Sequence, residues 1–442
     1  MSGIVINVSM QIGYLRKHLE EKGILNLDVI ANHILELRDL QCKEEMYSHS
    51  RYTEKGSDVV CNIITGCNTK EKKCIVWCVN HYLGLNRNKK VIDAAKKALD
   101  EYGTGCGTSA LSGGMTSLHK MLEMRLADLI GKECVTLFPT GYTANLGLLS
   151  GIAGKGSFIL FDRESHASIV DGAKLSGNKY LPFNHNDVED LDSKLNKYTK
   201  EYENIFVVVE SAYSMSGDLS PLKEIVELKQ KYKFYLIVDE AHTFGFYGKK
   251  GSGYRNELGV TEEVDFIVGT LSKATASIGG YVASQEKYDI LLHWSATPFI
   301  FQACTPPSDI AASLACLDEI ETNTELAIKL HNNNKHFRSL LTKAGFDLRN
   351  SQSPIVPVYI EDFEALLNIS KDLYINGIFT NAIFYPAVKR TEGRLRFILN
   401  VGHTMEQMER TVACLLEAVK KYGVDITNED YTFLHKEKSG VN

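Results

Sequence analysis

One lysine in this chain sits in unusual company. Lys273 lies within Gly269-Thr270-Leu271-Ser272-Lys273-Ala274-Thr275-Ala276-Ser277-Ile278-Gly279-Gly280, an otherwise uncharged run of small residues that follows the apolar stretch Phe266–Val268. A buried amine loses proton affinity, by up to ~3–5 pKa units when fully desolvated. The neutral amine is a nucleophile that forms Schiff bases with carbonyl groups. In a solvated Gly/Ser loop the same residue would be an ordinary surface charge. A carboxylate stands at the exit of a second apolar run, in Val238-Asp239-Glu240-Ala241-His242. There Asp239 either meets a cationic partner, because burying it alone is costly, or caps the next turn.

Four further stretches bear on the same chemistry. Pro139-Thr140-Gly141-Tyr142-Thr143-Ala144-Asn145 follows the run Val135–Phe138. A Thr-Gly turn that opens a helix presents backbone N–H groups and the helix dipole, which suit a phosphate; a plain strand-to-helix turn has the same pattern. Asp162-Arg163-Glu164-Ser165-His166-Ala167-Ser168 brings His166 just past the run Phe158–Phe161. Gly103-Thr104-Gly105-Cys106-Gly107-Thr108 follows a helical pattern rather than a strand, so it is no dinucleotide fingerprint; it is a loop whose backbone can approach a ligand closely. In Glu392-Gly393-Arg394-Leu395-Arg396-Phe397 two arginines lie two apart at a strand start and therefore on one face. A guanidinium there is either a surface charge or a bidentate clamp for a carboxylate. A phosphate cradle, a Schiff-base lysine, a carboxylate for a ring nitrogen, a histidine near the ring and an arginine together are the equipment that pyridoxal 5′-phosphate needs.

The elements that must hold these residues alternate. Apolar runs at Val135–Phe138, Phe158–Phe161, Ile205–Val209, Tyr235–Val238 and Phe266–Val268 are separated by helical patterns such as Thr116–Leu129 and Leu222–Lys231. That order predicts βα units and a largely parallel sheet, and ligands in such sheets gather beyond the carboxyl ends of the strands. Val91–Tyr102 has helical spacing closed by Gly103. Before it, Gln11–Lys22 and Asp28–Glu45 read as two helices and Tyr47–Lys73 as a loop or short hairpin. Pro306-Pro307-Ser308 opens a helical segment reaching about His336. The tail mixes strands (Ile355–Ile360, Leu395–Leu399) with helices (Phe363–Tyr374, Met405–Tyr422). The expected architecture is an N-terminal helical arm over 1–75, a large α/β domain over 76–325 and a small α+β domain over 326–442.

Composition narrows the class. The 442 residues are 44% hydrophobic and 24% charged, ordinary for globular proteins, which excludes global disorder and fibrous repeats. A net charge of −6 from 49 basic and 55 acidic residues leaves no footprint for nucleic acid. No signal peptide or membrane-spanning segment is read. Ten cysteines are too sparse for a secreted disulfide framework, so free thiols and a cytoplasmic location are expected. Five crowd into Cys42, Cys61, Cys67, Cys74 and Cys78, but only Cys74/Cys78 has metal-ligand spacing and no second pair accompanies it.

With these blocks in order, the chain resembles the α-oxoamine synthases, fold-type I pyridoxal-phosphate enzymes, over Val76–Tyr422. The strongest segments are Val238–His242, Gly269–Lys273 with Gly279-Gly280, Ser165–Ser168 and Glu210–Leu222. The wording DRESHASIVDG and HNDVEDLDSKL is most similar to bacterial soluble serine palmitoyltransferases. The resemblance implies that Lys273 forms the Schiff base and moves the substrate Cα proton, Asp239 pairs with the pyridine nitrogen, and His166 stacks on the ring. It places His242 and Ser214 near the ring hydroxyl, and Thr270 with the amides of Gly141 and Tyr142 on the phosphate. Asn80, in Val79-Asn80-His81-Tyr82-Leu83-Gly84, and Arg396 would bind the amino-acid carboxylate. The implied reaction is the decarboxylating condensation of a small amino acid (serine, or instead glycine or alanine) with an acyl thioester on coenzyme A or a carrier protein. The implied assembly is a homodimer, with loops near Gly105 and Ala303 completing the neighbour's site.

Three departures bear on substrate. Ala110 replaces the family's arginine after Ser109, Gln302 stands where Ser or Thr is usual, and Ser211 replaces glycine after Glu210. Two other readings are an aminotransferase or lyase on the same fold, and a non-catalytic partner subunit. The presence of Lys273 argues against the latter.

Overall fold

The computed structural model describes residues 12–44, 51–67, 70–385 and 387–426. They cluster in two compact units: the described residues up to Val79 with Asn333–Ser351 and those from Ile355 on, and Asn80–Asn332 with Gln352–Pro354.

The first unit begins with α1 (Ile12–Glu21) and α2 (Leu27–Lys43). Asn26 caps α2 by accepting from the Val29 N–H at 3.1 Å. The two helices share a small core of Leu15, Leu19, Ile30 and Leu37. The expected helix limits Gln11 and Glu45 lie outside the described residues. Where a loop or hairpin is expected, β1 (Arg51–Thr53), β2 (Val60–Thr65) and β3 (Glu71–Val76) form an antiparallel meander. A disulfide joins Cys42 to Cys67. It corrects the expectation of free thiols for these two residues; the other eight cysteines form no disulfide. The fold carries the end of α2 to the turn after β2, an approach that a spacing of 25 residues does not announce.

The second unit holds α3 (Lys89–Tyr102), closed by Gly103 at φ 77°, and α4 (Ser117–Ile130), whose N-terminus carries a Thr116/His119 capping box. Then follow β4 (Cys134–Phe138), α5 (Gly141–Ile152), β5 (Phe158–Asp162), α6 (Ala167–Leu175), β6 (Lys179–Phe183), α7 (Val188–Tyr198), β7 (Ile205–Glu210), α8 (Leu222–Glu227), β8 (Tyr235–Asp239), α9 (Tyr254–Glu257), β9 (Phe266–Thr270), β10 (Gly280–Ser284), α10 (Glu286–Ser295), α11 (Thr297–Phe301) and α12 (Pro307–Thr322). The sheet runs β4-β10-β9-β8-β7-β5-β6. β6, β5, β7, β8 and β9 are parallel, and β10 is antiparallel to both its neighbours. The expected mostly parallel α/β sheet is therefore present. Its inner strands are apolar throughout because both faces are covered. Val207, Val209, Leu236 and Val238 pack into one core layer, while Phe206, Val208 and Ile237, alternating with them, pack into the other.

The parallel course sends the ends of β4, β5, β7, β8 and β9 to one edge. Sequence reading did not anticipate β6, which carries Pro182 and takes the outermost position of the sheet, or β10. The single helix expected from Pro306 divides at Asn323, the C-cap of α12; α13 (Glu325–Lys343) follows.

Back in the first unit, the tail supplies β11 (Ile355–Tyr359), α14 (Phe363–Ile375), β12 (Ile378–Phe379), β13 (Asn381–Ile383), β14 (Arg394–Ile398) and α15 (Met405–Lys421). β11-β14-β13 is an antiparallel sheet. β12 pairs in parallel with β3, so the meander that the sequence assigns to a separate arm shares one sheet with the tail. Among the described residues no helix is long and apolar enough to cross a membrane.

Candidate active site

Lys273 follows β9 in a loop that folds back on itself. The Leu271 N–H donates to the Gly279 carbonyl and the Ser277 N–H to that of Leu271, both at 2.9 Å. The return requires Gly279 at φ 143°, a conformation glycine supplies without strain. This loop delivers Lys273 Nζ to within 2.8 Å of His242 Nε2. The other ring nitrogen, Nδ1, lies 2.6 Å from Tyr82 Oη.

Asp239 ends β8 and is buried. Oδ1 accepts from the Ala241 N–H at 2.9 Å, and Oδ2 accepts from Asn145 Nδ2 at 2.8 Å. The same Asn145 nitrogen reaches Ser168 Oγ at 3.0 Å, and Ser168 Oγ lies 2.8 Å from His166 Nδ1. One hydrogen-bonded chain therefore runs from the acid to the histidine. Burial holds the His166 pKa below its ordinary value, and the Lys273 charge lowers it further against the pull of Asp239; the ring is neutral at neutral pH. The His166 N–H donates to the Glu210 carboxyl at the end of β7. Burial, with Asp239 nearby, pushes the Glu210 pKa well up. Ser211 Oγ donates to the Asp239 carbonyl at 3.0 Å, so this departure from the family pattern braces the end of β8.

The Thr-Gly turn after β4 behaves as its composition suggests. Thr140 caps α5, accepting from the Thr143 N–H at 3.0 Å, and its carbonyl takes the Ala144 N–H. The amides of Gly141 and Tyr142 are then the ones that helix geometry turns outward. A side chain at Gly141 would put its Cβ 2.9 Å from Thr270 Cβ, so glycine lets α5 seat directly on the end of β9. Thr270 Oγ1 lies 2.8 Å from Ser272 Oγ. The Tyr142 hydroxyl donates to Asp171, and its ring stands edge-on to that of His166 at 6.1 Å.

Lys273, His242, Asp239, His166, Thr270, Gly141 and Tyr142 thus fall within one compact unit at one sheet edge. Ser214 stands half-buried on the turn enclosed by the Ala212–Leu219 bridge, and Asn80 accepts from the Tyr82 N–H at 2.9 Å through its carbonyl. Arg396 belongs to the other unit, buried on β14 between β11 and β13. Its neighbour Arg394 is committed locally, to Tyr359 Oη at 3.0 Å and Glu392 at 3.2 Å. Ala110 and Gln302, two departures from the family pattern, line one cavity with Met115, Phe138 and Phe299.

Sequence reasoning missed Asn145, Ser168 and Tyr82 as partners of the expected residues. One signal was present: Asn145 is a fully buried amide on the otherwise apolar helix α5, and buried amides need partners.

These residues fit pyridoxal 5′-phosphate. The Gly141–Thr270 contact forms a cradle open only to glycine, Asp239 and Lys273 have the chemistry for ring nitrogen and aldehyde, and His166 is an uncharged flat ring. When bound, that group draws off electrons released at a substrate Cα. Fold and site together define a fold-type I pyridoxal-phosphate-dependent transferase. The family description "aminotransferase class I and II" matches residues 72–415. A serine palmitoyltransferase of Sphingobacterium spiritivorum is 36% identical over 80% of this chain and 88% of its own. An 8-amino-7-oxononanoate synthase of Alkaliphilus oremlandii is 37% identical over 80% and 89%. A solved serine palmitoyltransferase variant from S. paucimobilis, with pyridoxal phosphate and myriocin bound, superposes with a TM-score of 0.84 at 31% identity, covering 90% of this chain and 100% of its own. The chain belongs to the aminotransferase class I and II family and, within it, to the α-oxoamine synthases: it is a pyridoxal-phosphate-dependent C-acyltransferase.

Proposed function

We propose that the enzyme condenses serine with a long-chain acyl thioester, releasing CO2 and the free thiol and leaving an α-oxoamine. The observation that carries this reading is the arrival of Lys273, Asp239 and His166 at one sheet edge, with Lys273 Nζ 2.8 Å from His242 Nε2. Lys273 takes and returns the substrate Cα proton, as a positioned amine does. Asp239, steadied by Asn145 and Ala241, would accept a hydrogen bond from the ring nitrogen and keep that nitrogen protonated. His166, kept neutral by burial, would lie against the ring, and His242 and Ser214 would serve the ring hydroxyl. Thr270 with the amides of Gly141 and Tyr142 would hold the phosphate. Asn80 and Arg396 keep the family-implied role of binding the amino-acid carboxylate. Sequence identity is even between serine palmitoyltransferases and 8-amino-7-oxononanoate synthases; the structural likeness to serine palmitoyltransferase, with a TM-score of 0.84 against 0.70, supports serine.

The active form is a homodimer in this reading. α4, α10 and α11 expose Met121, Met124, Ile290, Leu291, Trp294 and Phe301, far more apolar surface than solvated helices carry singly. A second copy of the chain is the proposed cover. A cytoplasmic location is part of this reading: eight of the ten cysteines form no disulfide, against the one Cys42–Cys67 bond.

The test is incubation of the purified protein with mixed amino acids and acyl thioesters, on coenzyme A and on a carrier protein, with product identification by mass spectrometry and measurement of CO2. A long-chain product built on serine is expected, and none from Lys273→Ala. A product built on glycine or alanine would overturn the serine assignment, and a keto acid without CO2 would replace condensation by transamination.

A further inference from the structure

The His242 ring is engaged from both sides, by Tyr82 Oη at 2.6 Å from Nδ1 and by Lys273 Nζ at 2.8 Å from Nε2. A neutral imidazole has one N–H and one lone pair, so the two contacts are not independent. If Tyr82 donates its O–H to Nδ1, the ring proton sits on Nε2. Lys273 must then accept it, which only a neutral amine can do. If Lys273 carries three protons, it donates to Nε2, and the ring proton moves to Nδ1 and faces the Tyr82 oxygen. Tyr82 is fully buried and packs against the Phe246 ring at 4.7 Å, where a phenol O–H needs an acceptor.

We propose that Tyr82 is a positioning residue for Lys273: by donating to Nδ1 it fixes His242 as the Nε2–H tautomer and holds the Lys273 amine in its neutral, nucleophilic form. The proposal rests on the reading of Lys273 as the Schiff-base residue. Among other ionisable groups at this corner, His166 at the start of α6 and Glu210 at the end of β7 both feel the Lys273 charge. Burial favours the neutral form of each, so Glu210 supplies no standing negative charge to hold the lysine protonated and His166 no standing positive charge to oppose it. Asp239, three residues before His242 on β8, works the other way, and the Tyr82–His242 pair opposes it.

Two measurements on the full-length, cofactor-free protein decide the matter. Long-range 1H–15N spectra of histidine-labelled protein, with the His242 signals assigned by loss in His242→Gln, are expected to show the Nε2–H tautomer near neutral pH. In Tyr82→Phe, which keeps the ring and its packing, that tautomer preference is lost. The pH profile for capture of pyridoxal 5′-phosphate is expected to move to higher pH in Tyr82→Phe, with capture at neutral pH slowed about three- to tenfold, the worth of one net hydrogen bond. An Nδ1–H tautomer in the unmodified protein, or coincident capture profiles, overturns the proposal. Failure of the unmodified protein to capture the cofactor at any pH would instead overturn the reading of Lys273, and the tautomer signal would still decide the role of Tyr82.

Discussion

Asn145 donates to Asp239 Oδ2 at 2.8 Å across 94 residues of sequence, and through Ser168 it ties that acid to His166. The acid proposed for the ring nitrogen and the imidazole proposed for the ring face are therefore held by one amide on α5. Asn145→Leu keeps the volume and removes the donor. It leaves a buried carboxylate oxygen short of a partner, and hydrogen bonds to charged groups are worth roughly 1.5–3 kcal/mol. Affinity for pyridoxal 5′-phosphate should fall about 10- to 100-fold, read by titrating the cofactor absorbance. An unchanged affinity would reduce Asn145 to a packing residue.

The legible part of this site was the part written in single segments. Lys273 announced itself as the lone charge in a small-residue run, Asp239 as a carboxylate at a strand exit, and Gly141 by its turn. The partners were not legible, because each comes from a distant segment: Tyr82 lies 160 residues from His242, and Ser211 meets Asp239 only because β7 and β8 are neighbours. The same holds for the fold. The apolar strands of the parallel sheet were read within a residue or two of their ends. The β3–β12 pairing and the Cys42–Cys67 bond join segments with no local pattern in common. β6 escaped notice because an edge strand can carry Pro182 and Lys179 without the apolar run that marks an inner strand.

His185 stands between Asp162 Oδ1 at 2.8 Å and Asp218 Oδ2 at 2.7 Å. The Asp162 carboxylate also accepts from the Glu164 N–H at the start of the loop that leads to His166. Burial alone would lower the His185 pKa; the two carboxylates overcome it and raise the value to about 10. A pKa above the unfolded value of about 6.5 means that the stabilisation is complete below pH ~6.5 and is lost as the pH rises toward the folded pKa. Roughly 3–5 kcal/mol is at stake on this linkage. Denaturant unfolding should therefore show stability declining through the alkaline range, and His185→Gln should start lower at pH 6 and flatten the decline. Parallel profiles for the two proteins would remove His185 as the source.

Gly269 and Tyr281 are register partners on β9 and β10, and a Cβ at position 269 would clash with the Tyr281 ring. Tyr281 is fully buried and has nowhere to move. Gly269→Ala should lower stability by roughly 1–3 kcal/mol, the usual cost of overpacking, and disturb the strand that carries Thr270 and leads to Lys273. In the double variant with Tyr281→Leu the clash disappears, so the two changes should be non-additive, with coupling of about 1 kcal/mol or more. Simple additivity in thermal or chemical unfolding would show that the strand yields without cost.

Trp294 and Phe301 are 76% and 79% exposed on α10 and α11, and Phe301 lies two residues before Ala303, which bridges to Ser109 after the glycine-rich loop. Large aromatic side chains in that state dominate the energetics of an interface when a partner covers them. Trp294→Asp and Phe301→Asp should shift the sedimenting species from twice the chain mass to once. Charging a covered apolar patch leaves a desolvated carboxylate without a partner, whereas the same change on a free surface is close to neutral. If the glycine-rich loop completes the site of a second copy, cofactor affinity should fall together with the dimer at low protein concentration and recover as the concentration rises. A monomeric enzyme that retains full cofactor affinity at every concentration would confine the site to one chain.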